Sequence, residues 1–472
     1  MSLRIPFNNS YASLPEAFFA AQSPKTVAAP ELIAFNDKLA EELGITGAPS
    51  DDLTAVFSGN RVPDGAAPLA QLYAGHQFGT YNPQLGDGRA LLLGEVIDRA
   101  GQRRDIQLKG SGPTPYSRAG DGRSWLGPVL REYVVSEAMH SLGVPTTRAL
   151  AATTTGEAVY RESVLPGAVF TRVASSHIRV GTFQVFAHRG QVEPLKRLTD
   201  YTIARHYPNA DGPLGLLRAV VAAQAELIPA WMSFGFIHGV MNTDNCTISG
   251  ETIDYGPCAF LDVYHPAKVF SSIDQMGRYA YGNQPRIAVW NMAQFATALI
   301  QQLDDPQTGV EEASEIVHAM PAQIEAHWLS RFGRKIGIAE ADSSDASLIE
   351  DLLVRMAEQR ADFTNTFHAL LAGNARDQFI DPTTFDAWET AWLSRLEQES
   401  DPEAVMRKAN PVFIPRNHRI EEMIAAAVAG DFAPFHRLND VLSRPFEPQP
   451  EHGELARAPS ANEVVTATFC GT

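Results

Sequence analysis

The sequence predicts an α+β fold, with strands in the first part of the chain and helices in the remainder. Short apolar runs broken by glycine, such as "QLGDGRALLLGEVID" and "RRDIQLKG", predict strands between Tyr73 and Lys109. Beyond Ser175 apolar residues recur every three or four positions, as in "AVWNMAQFATALIQQL", which predicts helices. This order is typical of α+β proteins and indicates two lobes with a ligand cleft between them.

The same patterns divide the chain into segments. The four predicted segments are an N-terminal extension (1–70), a mixed β/α N-terminal lobe (71–170), the core of a largely helical C-terminal lobe (171–300) and a helical C-terminal extension (301–472). The first contains one amphipathic helix candidate, "APELIAFNDKLAEELGI", which ends at Gly44. In the N-terminal lobe the helix "PVLREYVVSEAMHSLGV" stops at Gly143, and "TRALAATTTGEAVYRE" and "GAVFTRVA" predict a pair of strands.

Composition limits the classes of partner. The chain has 472 residues, of which 44% are apolar and 20% charged, as in an ordinary soluble globular protein. Its net charge of −17 argues against a nucleic-acid partner, although a local basic pocket for a small anion is compatible with it. Even "LLRAVVAAQAELIPAWM" contains Arg, Gln and Glu, so we expect no membrane span. Three cysteines without a CxxC pair, and an N-terminus unlike a secretory signal, predict a cytoplasmic protein.

The strongest functional signal is "HGVMNTDNCTISGETIDYG", which follows an apolar helix. It has the spacing of the protein-kinase signature, in which His-Arg-Asp precedes an Asn and then a separate Asp-Phe-Gly. His238 and Asn245 occupy the positions of the His and the Asn, and Asp254 begins an Asp-Tyr-Gly. The position of the kinase catalytic base, however, is Val240, which cannot accept a proton. The pattern therefore retains the metal-binding part of a kinase without its base.

The same stretch predicts a metal site. A hairpin with Gly250 at its turn brings the amide oxygen of Asn245 near the carboxylate of Asp254. Such hard oxygen ligands suit Mg²⁺ or Mn²⁺ bound to a nucleotide. The alternative for the whole stretch is an Asn- and Asp-rich turn that caps a helix, and we expect His238 to have a structural hydrogen-bonding role.

Lys109 and Glu132 form a second candidate pair. Lys109 ends a predicted strand and Glu132 lies on the next predicted helix. In kinases a lysine so placed contacts ATP phosphates, and a glutamate of the following helix holds that lysine. A flexible ammonium needs a fixed carboxylate if it is to be held in one place. The alternative is an unrelated lysine and glutamate on the surface.

Glycines and arginines extend the candidate site. Gly86 and Gly88 would let a phosphate or a base approach the backbone, although a Gly-rich hairpin turn is the commoner explanation of such a pattern. The loop "AGDGRS" is longer than a compact lobe requires. Arg172 and Arg179 would bind phosphate oxygens bidentately, or else be structural ion-pair arginines.

These motifs together resemble the selenoprotein O family. The resemblance runs through "YAGHQFGTYNPQLGDGRALLLGE", "QLKGSGPTPYSRAGDGRSWLGPVLREY" and "FIHGVMNTDN" to "GRYAYGNQP". It implies a protein-kinase-like two-lobed fold that binds ATP in reverse, with the γ-phosphate inside the pocket and the α-phosphate at its mouth. It also implies transfer of AMP to Ser, Thr or Tyr hydroxyl groups of target proteins, and UTP in place of ATP is conceivable.

The resemblance also implies roles for individual residues. The expected nucleotide contacts are Gly86, Gly88, Arg89, Lys109, Asp121, Gly122, Arg172, Arg179 and Asp254. Glu132 would position Lys109, while Asn245 and Asp254 would bind Mg²⁺ or Mn²⁺. Asp244 would be the proton acceptor, because a reversed nucleotide moves the reacting phosphorus away from the position of Val240.

The cysteines depart from the family pattern. Cys470 in "TFCGT" matches the redox-active position of the family, but "YHPAKVFSSID" lacks the partner cysteine of bacterial relatives. Cys246 and Cys258 flank the metal residues and are as well explained as packing residues, so an internal disulfide is not expected.

Two other functions are compatible with the motifs. Conventional phosphoryl transfer is one, which Val240 disfavours. A catalytically inactive scaffold that binds a nucleotide is the other, and the presence of Asp244, Asn245 and Asp254 argues against it.

Overall fold

The structure is a computed structural model that describes residues 2–47, 49–303 and 305–469. Its strands are β1 (Phe19–Ala21), β2 (Leu32–Phe35), β3 (Leu69–Gln71), β4 (Gly75–Gln77), β5 (Thr80–Asn82), β6 (Ala90–Ile97), β7 (Arg103–Lys109), β8 (Ser124–Trp125), β9 (Arg148–Tyr160), β10 (Val164–Ala174), β11 (Phe236–Ile237) and β12 (Ala259–Phe260). Its helices are α1 (Asp37–Glu42), α2 (Ser50–Phe57), α3 (Leu126–Ser141), α4 (Val180–His188), α5 (Val192–His206), α6 (Gly212–Ser233), α7 (Gln284–Leu299), α8 (Pro306–His318), α9 (Met320–Lys335), α10 (Ala346–Glu358), α11 (Phe363–Ala372), α12 (Thr383–Leu396), α13 (Pro402–Ala409), α14 (Asn417–Val428), α15 (Ala433–Leu442) and α16 (Gly453–Ala456).

Eight strands form one antiparallel sheet, which confirms a mixed α/β protein. Their order is β1-β3-β6-β7-β10-β9-β2, and β8 pairs with β10. The predicted pair of strands before Ser175 is confirmed as β9 and β10. Strands β1, β2 and β3 join the same sheet. The two edge strands of this order, β1 and β2, both come from the segment predicted as an N-terminal extension.

The alternation of side chains along β7 separates a core from the site. Ile106 and Leu108 point into an apolar cluster formed with α1 and α2. Because successive side chains of a strand point to opposite faces, Asp105, Gln107 and Lys109 lie together on the other face. Helix α3 packs there against β9 and β10, and it ends close to Gly143, as predicted. One strand therefore contributes both to the core and to a row of polar groups.

The amphipathic helix predicted from "APELIAFNDKLAEELGI" is wrong over its first half. Leu32–Phe35 is strand β2, which pairs with β9, and only Asp37–Glu42 is helical. The Asn36 side chain accepts a hydrogen bond from the Leu39 backbone N–H (3.1 Å) and starts the helix there. Pairing with a neighbouring strand has overridden the local helical pattern.

Beyond Ser175 the described chain is mostly helical, as predicted, and its strands there are the short pair β11–β12. Helix α6 is long and apolar enough to cross a membrane by length and composition alone. In its most apolar window, however, 61% of the residues are buried within the protein, and α6 packs against α7 and α9. A buried core helix accounts for this pattern.

The beginning of α14 anchors the chain that follows the Asp-Tyr-Gly motif. The Asn417 side chain exchanges hydrogen bonds with the backbone N–H and C=O of Phe260 in β12 (3.0 and 2.7 Å). Arg416, which is buried, binds the carboxylates of Asp262 (2.9 Å) and Asp362 (2.7 Å). A helix remote in sequence therefore holds the segment next to the predicted metal ligand.

We expect Arg416→Met to lower the free energy of unfolding by about 3–5 kcal/mol, because it leaves two largely buried carboxylates without their cation. Urea denaturation followed by circular dichroism measures the change. The matched control is Arg437→Met, whose partner Glu454 and own side chain are about half exposed, so a change of at most about 1 kcal/mol is expected. Equal changes in the two variants would contradict the anchoring role.

Candidate active site

A cavity of about 670 Å³ lies between the sheet and the loops that follow β11 and β12. Eleven of the residues predicted from the sequence line it: Gly86, Gly88, Arg89, Lys109, Asp121, Gly122, Arg172, Arg179, Asp244, Asn245 and Asp254. Glu132 lies behind Lys109, in α3. The structure thus brings together residues that are up to 168 positions apart in the chain (86 to 254).

The cavity is cationic although the chain is acidic. Its described lining contains seven arginines and lysines but only four carboxylates, in a chain of net charge −17. Besides the residues predicted from the sequence, Arg118, Arg123 and Arg161 contribute to this excess. A pocket of this charge attracts a small polyanion, as the sequence had allowed.

Lys109 and Glu132 form the predicted pair. The Lys109 ammonium donates to Glu132 (2.6 Å) and also to Asp254 (2.6 Å). Glu132 is buried and accepts in addition from Arg172 (3.2 Å). The explanation as two unrelated surface residues is therefore wrong, because the lysine is fixed between two carboxylates.

Arg172 and Arg179 both bind Asp254. Arg172 comes from β10, opposite Gln107 of β7, and donates to Asp254 (2.8 Å). Arg179 precedes α4, donates to the other carboxylate oxygen of Asp254 (3.3 Å) and to the carbonyl of Asp244 (2.8 Å). Both guanidinium groups are almost fully buried. They are structural ion-pair arginines here and still line the cavity, so the two explanations left open by the sequence are compatible.

Asp254 is the centre of this cluster. Burial alone would raise the pKa of its carboxyl, but the charges of Arg172, Lys109 and Arg179 outweigh burial and hold that pKa well below its usual range. Its φ of +64° lies in the left-handed region, which is uncommon for a residue other than glycine. Such local strain persists where surrounding contacts hold a residue in place, as the three cations do here.

The predicted hairpin before Asp254 is instead a tight turn. Gly250 lies at the turn, as predicted, with a φ of +76°. The Thr247 hydroxyl donates to the Glu251 carbonyl (2.5 Å) and accepts from the Glu251 N–H (3.0 Å). These side-chain bonds close the turn, so no ladder of strand pairs forms across it.

Asp244 lies in a short 3₁₀ turn, Thr243–Asn245. Its Oδ2 accepts a hydrogen bond from the Gln77 amide (3.0 Å), and its Oδ1 is buried without a hydrogen-bond partner in the described chain. Burial raises the pKa of Asp244 to about 6. A carboxylate with so few donors keeps its affinity for a proton, as a general base requires.

The neighbours of Asp244 have different tasks. Asn245 donates from its amide nitrogen to the Val240 carbonyl (3.0 Å), and its amide oxygen makes no hydrogen bond to any described residue. His238 donates to the Ile253 carbonyl (2.8 Å) and accepts from the Val240 N–H (3.3 Å). Those two bonds define a neutral imidazole with the proton on Nε2, and burial lowers its pKa. His238 therefore has the structural role expected of it.

Hard oxygen donors around the cavity fit a divalent cation. They are the unbonded amide oxygen of Asn245 and the carboxylate of Asp254, with the unbonded Oδ1 of Asp244 close by in the sequence. Among the described residues no group of three or more His, Cys, Asp or Glu side chains could hold a metal. Two protein ligands completed by phosphate oxygens are, however, the usual arrangement for Mg²⁺ on a nucleotide.

The glycine-rich stretch does not form a hairpin turn. Strand β5 pairs with β4 and not with β6, so Gly86 and Gly88 lie in a loop on the cavity wall. Arg89 at the end of this loop makes no hydrogen bond or ion pair from its guanidinium to the described residues. That unpaired cation is available to a ligand.

The loop "AGDGRS" is held by its own contacts. Arg161 binds both carboxylate oxygens of Asp121 (2.8 and 3.0 Å), which lowers the pKa of that carboxyl. A Cβ on Gly122, whose φ is +67°, would lie 2.1 Å from the backbone carbon of Gly112. Only glycine allows this approach, so the loop has one defined path past the cavity.

Besides the arginines named above, the sequence reasoning missed three lining residues that contact the predicted ones or lie between them. Asp87 is buried and accepts from the Gln71 N–H (3.1 Å) and the Gln107 amide (3.0 Å). Tyr73 packs its ring against the Arg179 guanidinium, 4.4 Å from the ring centroid. The third is Gln77, the partner of Asp244. A signal for Asp87 was present in the sequence. Asp87 lies between two glycines, so its carboxylate has no neighbouring side chain to bind and can be directed at a ligand or a more distant residue.

The cysteines are separate from this chemistry. Cys246 and Cys258 are buried, and burial raises the pKa of the Cys246 thiol to about 12. A thiol with that pKa is protonated at neutral pH and is a poor nucleophile. Cys470 lies outside the described residues, so its redox role stays a prediction.

Comparisons with known proteins agree with these motifs. The family model described as "Protein adenylyltransferase SelO" matches residues 1–443. Proteins named protein nucleotidyltransferase YdiU from Roseobacter denitrificans and from Ruegeria sp. (strain TM1040) are each 68% identical over 472 residues, the full length of both chains. The YdiU protein of Rhizobium etli is 56% identical over 492 aligned positions, covering 100% of this chain and 98% of its own. The chain therefore belongs to the SelO family of protein adenylyltransferases, as its motifs had indicated.

Proposed function

We propose that this protein transfers AMP from ATP to Ser, Thr or Tyr hydroxyl groups of other proteins. The observation that carries the proposal is that the cationic cavity contains both a buried cluster of three cations and a carboxylate, Asp244, bound to no cation side chain. The cluster of cations suits a triphosphate, and Asp244 suits the role of proton acceptor. Membership of the SelO family and the names of its relatives support the same activity.

A protein-kinase-like arrangement of two lobes is part of the proposal. The sheet with α3 corresponds to the N-terminal lobe, and the helices from α4 onward correspond to the C-terminal lobe. The Lys109–Glu132 pair, and the presence of Asn245 and Asp254 in the lining of the same cavity, support this correspondence.

ATP is proposed to bind with its terminal phosphates inward. Lys109, Arg172 and Arg179 are at most 9% exposed, so three cations lie in the buried part of the cavity, where they can bind the terminal phosphates. Asp121 and Gly122 also line the cavity, and Asp121 is exposed, so the nucleoside is expected beside this loop and beside Gly86, Gly88 and Arg89. This orientation leaves the α-phosphate near the mouth, where a protein hydroxyl can reach it.

The proposed reaction is a displacement at the α-phosphorus. The acceptor hydroxyl oxygen forms a bond to that phosphorus, and the bond from it to the bridging oxygen of the β-phosphate breaks. Asp244 takes the hydroxyl proton, and pyrophosphate leaves with the electron pair of the broken bond. Lys109, Arg172 and Arg179 bind the phosphate oxygens on which negative charge accumulates, and Glu132 keeps Lys109 in place.

A divalent cation belongs to this proposal. Asn245 and Asp254 would hold Mg²⁺ or Mn²⁺ together with phosphate oxygens, and the ion would neutralise charge that develops on them. Asp254 would then exchange part of its contact with the three cations for the metal, which frees those cations for the triphosphate. A cytoplasmic location, and the absence of nucleic-acid and membrane partners, stay predictions.

Labelled nucleotides test the activity directly. The purified protein is incubated with Mg²⁺ and ATP carrying the label on either the α- or the γ-phosphate. We expect transfer of the α-label to protein and no transfer of the γ-label. Transfer of the γ-label alone would identify conventional phosphoryl transfer, and transfer of neither would favour a scaffold. Intact-mass analysis distinguishes the two modifications, and parallel reactions with UTP test the choice of base.

Replacing Asp244 by Asn is expected to lower kcat by about 10²- to 10⁴-fold, the usual contribution of a general base. The substitution preserves size and removes the proton acceptor. Initial rates of α-label transfer at saturating ATP measure it. An Asn variant with unchanged kcat would remove Asp244 from its proposed role.

Replacing Asp254 by Ala is expected to abolish transfer, since it removes a metal ligand and leaves three cations without their shared carboxylate. The control is Asp64→Ala, an exposed aspartate away from the cavity. Transfer is measured over a range of Mg²⁺ and Mn²⁺ concentrations. Unaltered labelling by the Asp254 variant would contradict the metal assignment.

Replacing Arg89 by Ala is expected to weaken ATP binding by about tenfold or more, the loss of one charge-assisted hydrogen bond. Because its guanidinium has no partner among the described residues, we expect the melting temperature to stay the same. Calorimetric titration with a non-hydrolysable ATP analogue measures affinity. Arg61→Ala, which removes a half-exposed arginine outside the cavity lining, is the control, and equal affinities in both variants would contradict a nucleotide contact.

A further inference from the structure

The hairpin β4–β5 lies directly over the turn that carries Asp244. Three consecutive residues of the hairpin each donate to one of the residues 242–244, which are Asn242 and the first two residues of the turn. The bonds are His76 N–H to the Thr243 hydroxyl (2.7 Å), the Gln77 amide to Asp244 Oδ2 (3.0 Å) and Phe78 N–H to Asn242 Oδ1 (3.2 Å). Backbone and side chain together therefore fix the hairpin and the turn in one relative position.

Gln77 is the only described side chain that donates to the Asp244 carboxylate. The orientation of its amide is itself fixed, because the Asn82 amide donates to Gln77 Oε1 (3.3 Å). The Gln77 nitrogen must then face Asp244. A neutral amide holds the carboxylate in place without the strong stabilisation of its negative charge that a cation would give.

Close contact with strand β4 also restricts the position of the Asp244 carboxylate. A Cβ on Gly75 would lie 2.5 Å from Asp244 Oδ1, closer than real Cβ contacts. The carboxylate is thus confined between the backbone of Gly75 and the amide of Gln77. Both residues belong to β4, which pairs with β5 and not with the main sheet.

The hairpin is anchored to the helical part of the protein. The Gln184 amide in α4 bonds to His76 Nδ1 (2.9 Å), and the Tyr81 hydroxyl donates to the Gln184 carbonyl (3.2 Å). The Thr243 hydroxyl also donates to Gln184 (2.6 Å). The hairpin, the turn and α4 therefore share one hydrogen-bond network, so Gln77 has a rigid support.

We propose that Gln77 is a positioning residue that holds the Asp244 carboxylate in the orientation needed to accept the hydroxyl proton. This inference rests on the proposed function, since it presupposes Asp244 as the proton acceptor. Gln77 has no group that could accept the hydroxyl proton itself, so it acts through the Asp244 carboxylate to which it donates. Small displacements of a catalytic group reduce the rate strongly, by about 10²-fold for 1 Å.

Gln77→Met tests the proposal, because methionine has a similar volume and no hydrogen-bond donor. We expect kcat for α-label transfer to fall by about 10- to 100-fold, with the KM for ATP within about twofold of the unsubstituted protein and the melting temperature unchanged. A merely structural role would instead lower the melting temperature or raise KM together with the loss of kcat. The matched control is Gln84→Met, the same change at an exposed position that does not line the cavity.

Gly75→Ala provides a second, independent variant. Its added methyl group would displace the same carboxylate from the other side, so a similar loss of kcat is expected without loss of ATP binding. If Asp244→Asn is inactive while Gln77→Met and Gly75→Ala keep kcat within twofold, the positioning role is wrong and the proposed function stands. If Asp244→Asn keeps its activity, the proposed base is wrong and the inference fails with it.

Discussion

One carboxylate, that of Asp254, whose side chain is 19% exposed, holds together the parts of the protein that form the cavity. Its partners come from β7, from β10 and from the chain just before α4, which are separate in sequence. Ions buried this deeply destabilise a protein by several kcal/mol each unless they are paired. The cluster satisfies that condition through Asp254 and Glu132, with Asp87 near Arg179 (3.6 Å), and the excess of positive charge in the cavity comes from the further arginines of its lining.

The carboxylates of Asp254 and Asp244 have different surroundings in the site. Asp254 is surrounded by cations and has a pKa well below its usual range, while burial raises that of Asp244 to about 6. The two lie ten positions apart in one loop (244 to 254). Charge neutralisation and proton acceptance need different environments. The environment of Asp254 suits the first role and that of Asp244 suits the second.

Local patterns were sufficient to predict β9, β10 and the helical remainder, and the motifs together with the family resemblance indicated eleven residues of the cavity lining. Lys109 and Glu132 were paired correctly because a strand followed by a helix brings the two side chains to one face. Strand β2 was missed because its partner β9 lies more than a hundred residues later, and no local pattern reports such pairing. Gln77 was missed for a similar reason. Its contact with Asp244, which is 167 positions later in the chain, forms only when the turn that carries Asp244 lies against the hairpin.

The anchoring of β12 by Arg416 and Asn417 has a consequence for protein synthesis. The loop with Asp254 is continuous with a segment whose partners are translated more than 150 residues later (254 to 417). At about 5–20 residues per second the ribosome needs roughly 8 to 30 seconds for that interval. Until then a nascent chain has every described residue of the cavity but lacks these contacts, so the wall of the cavity acquires its final support only after the start of α14 has been translated.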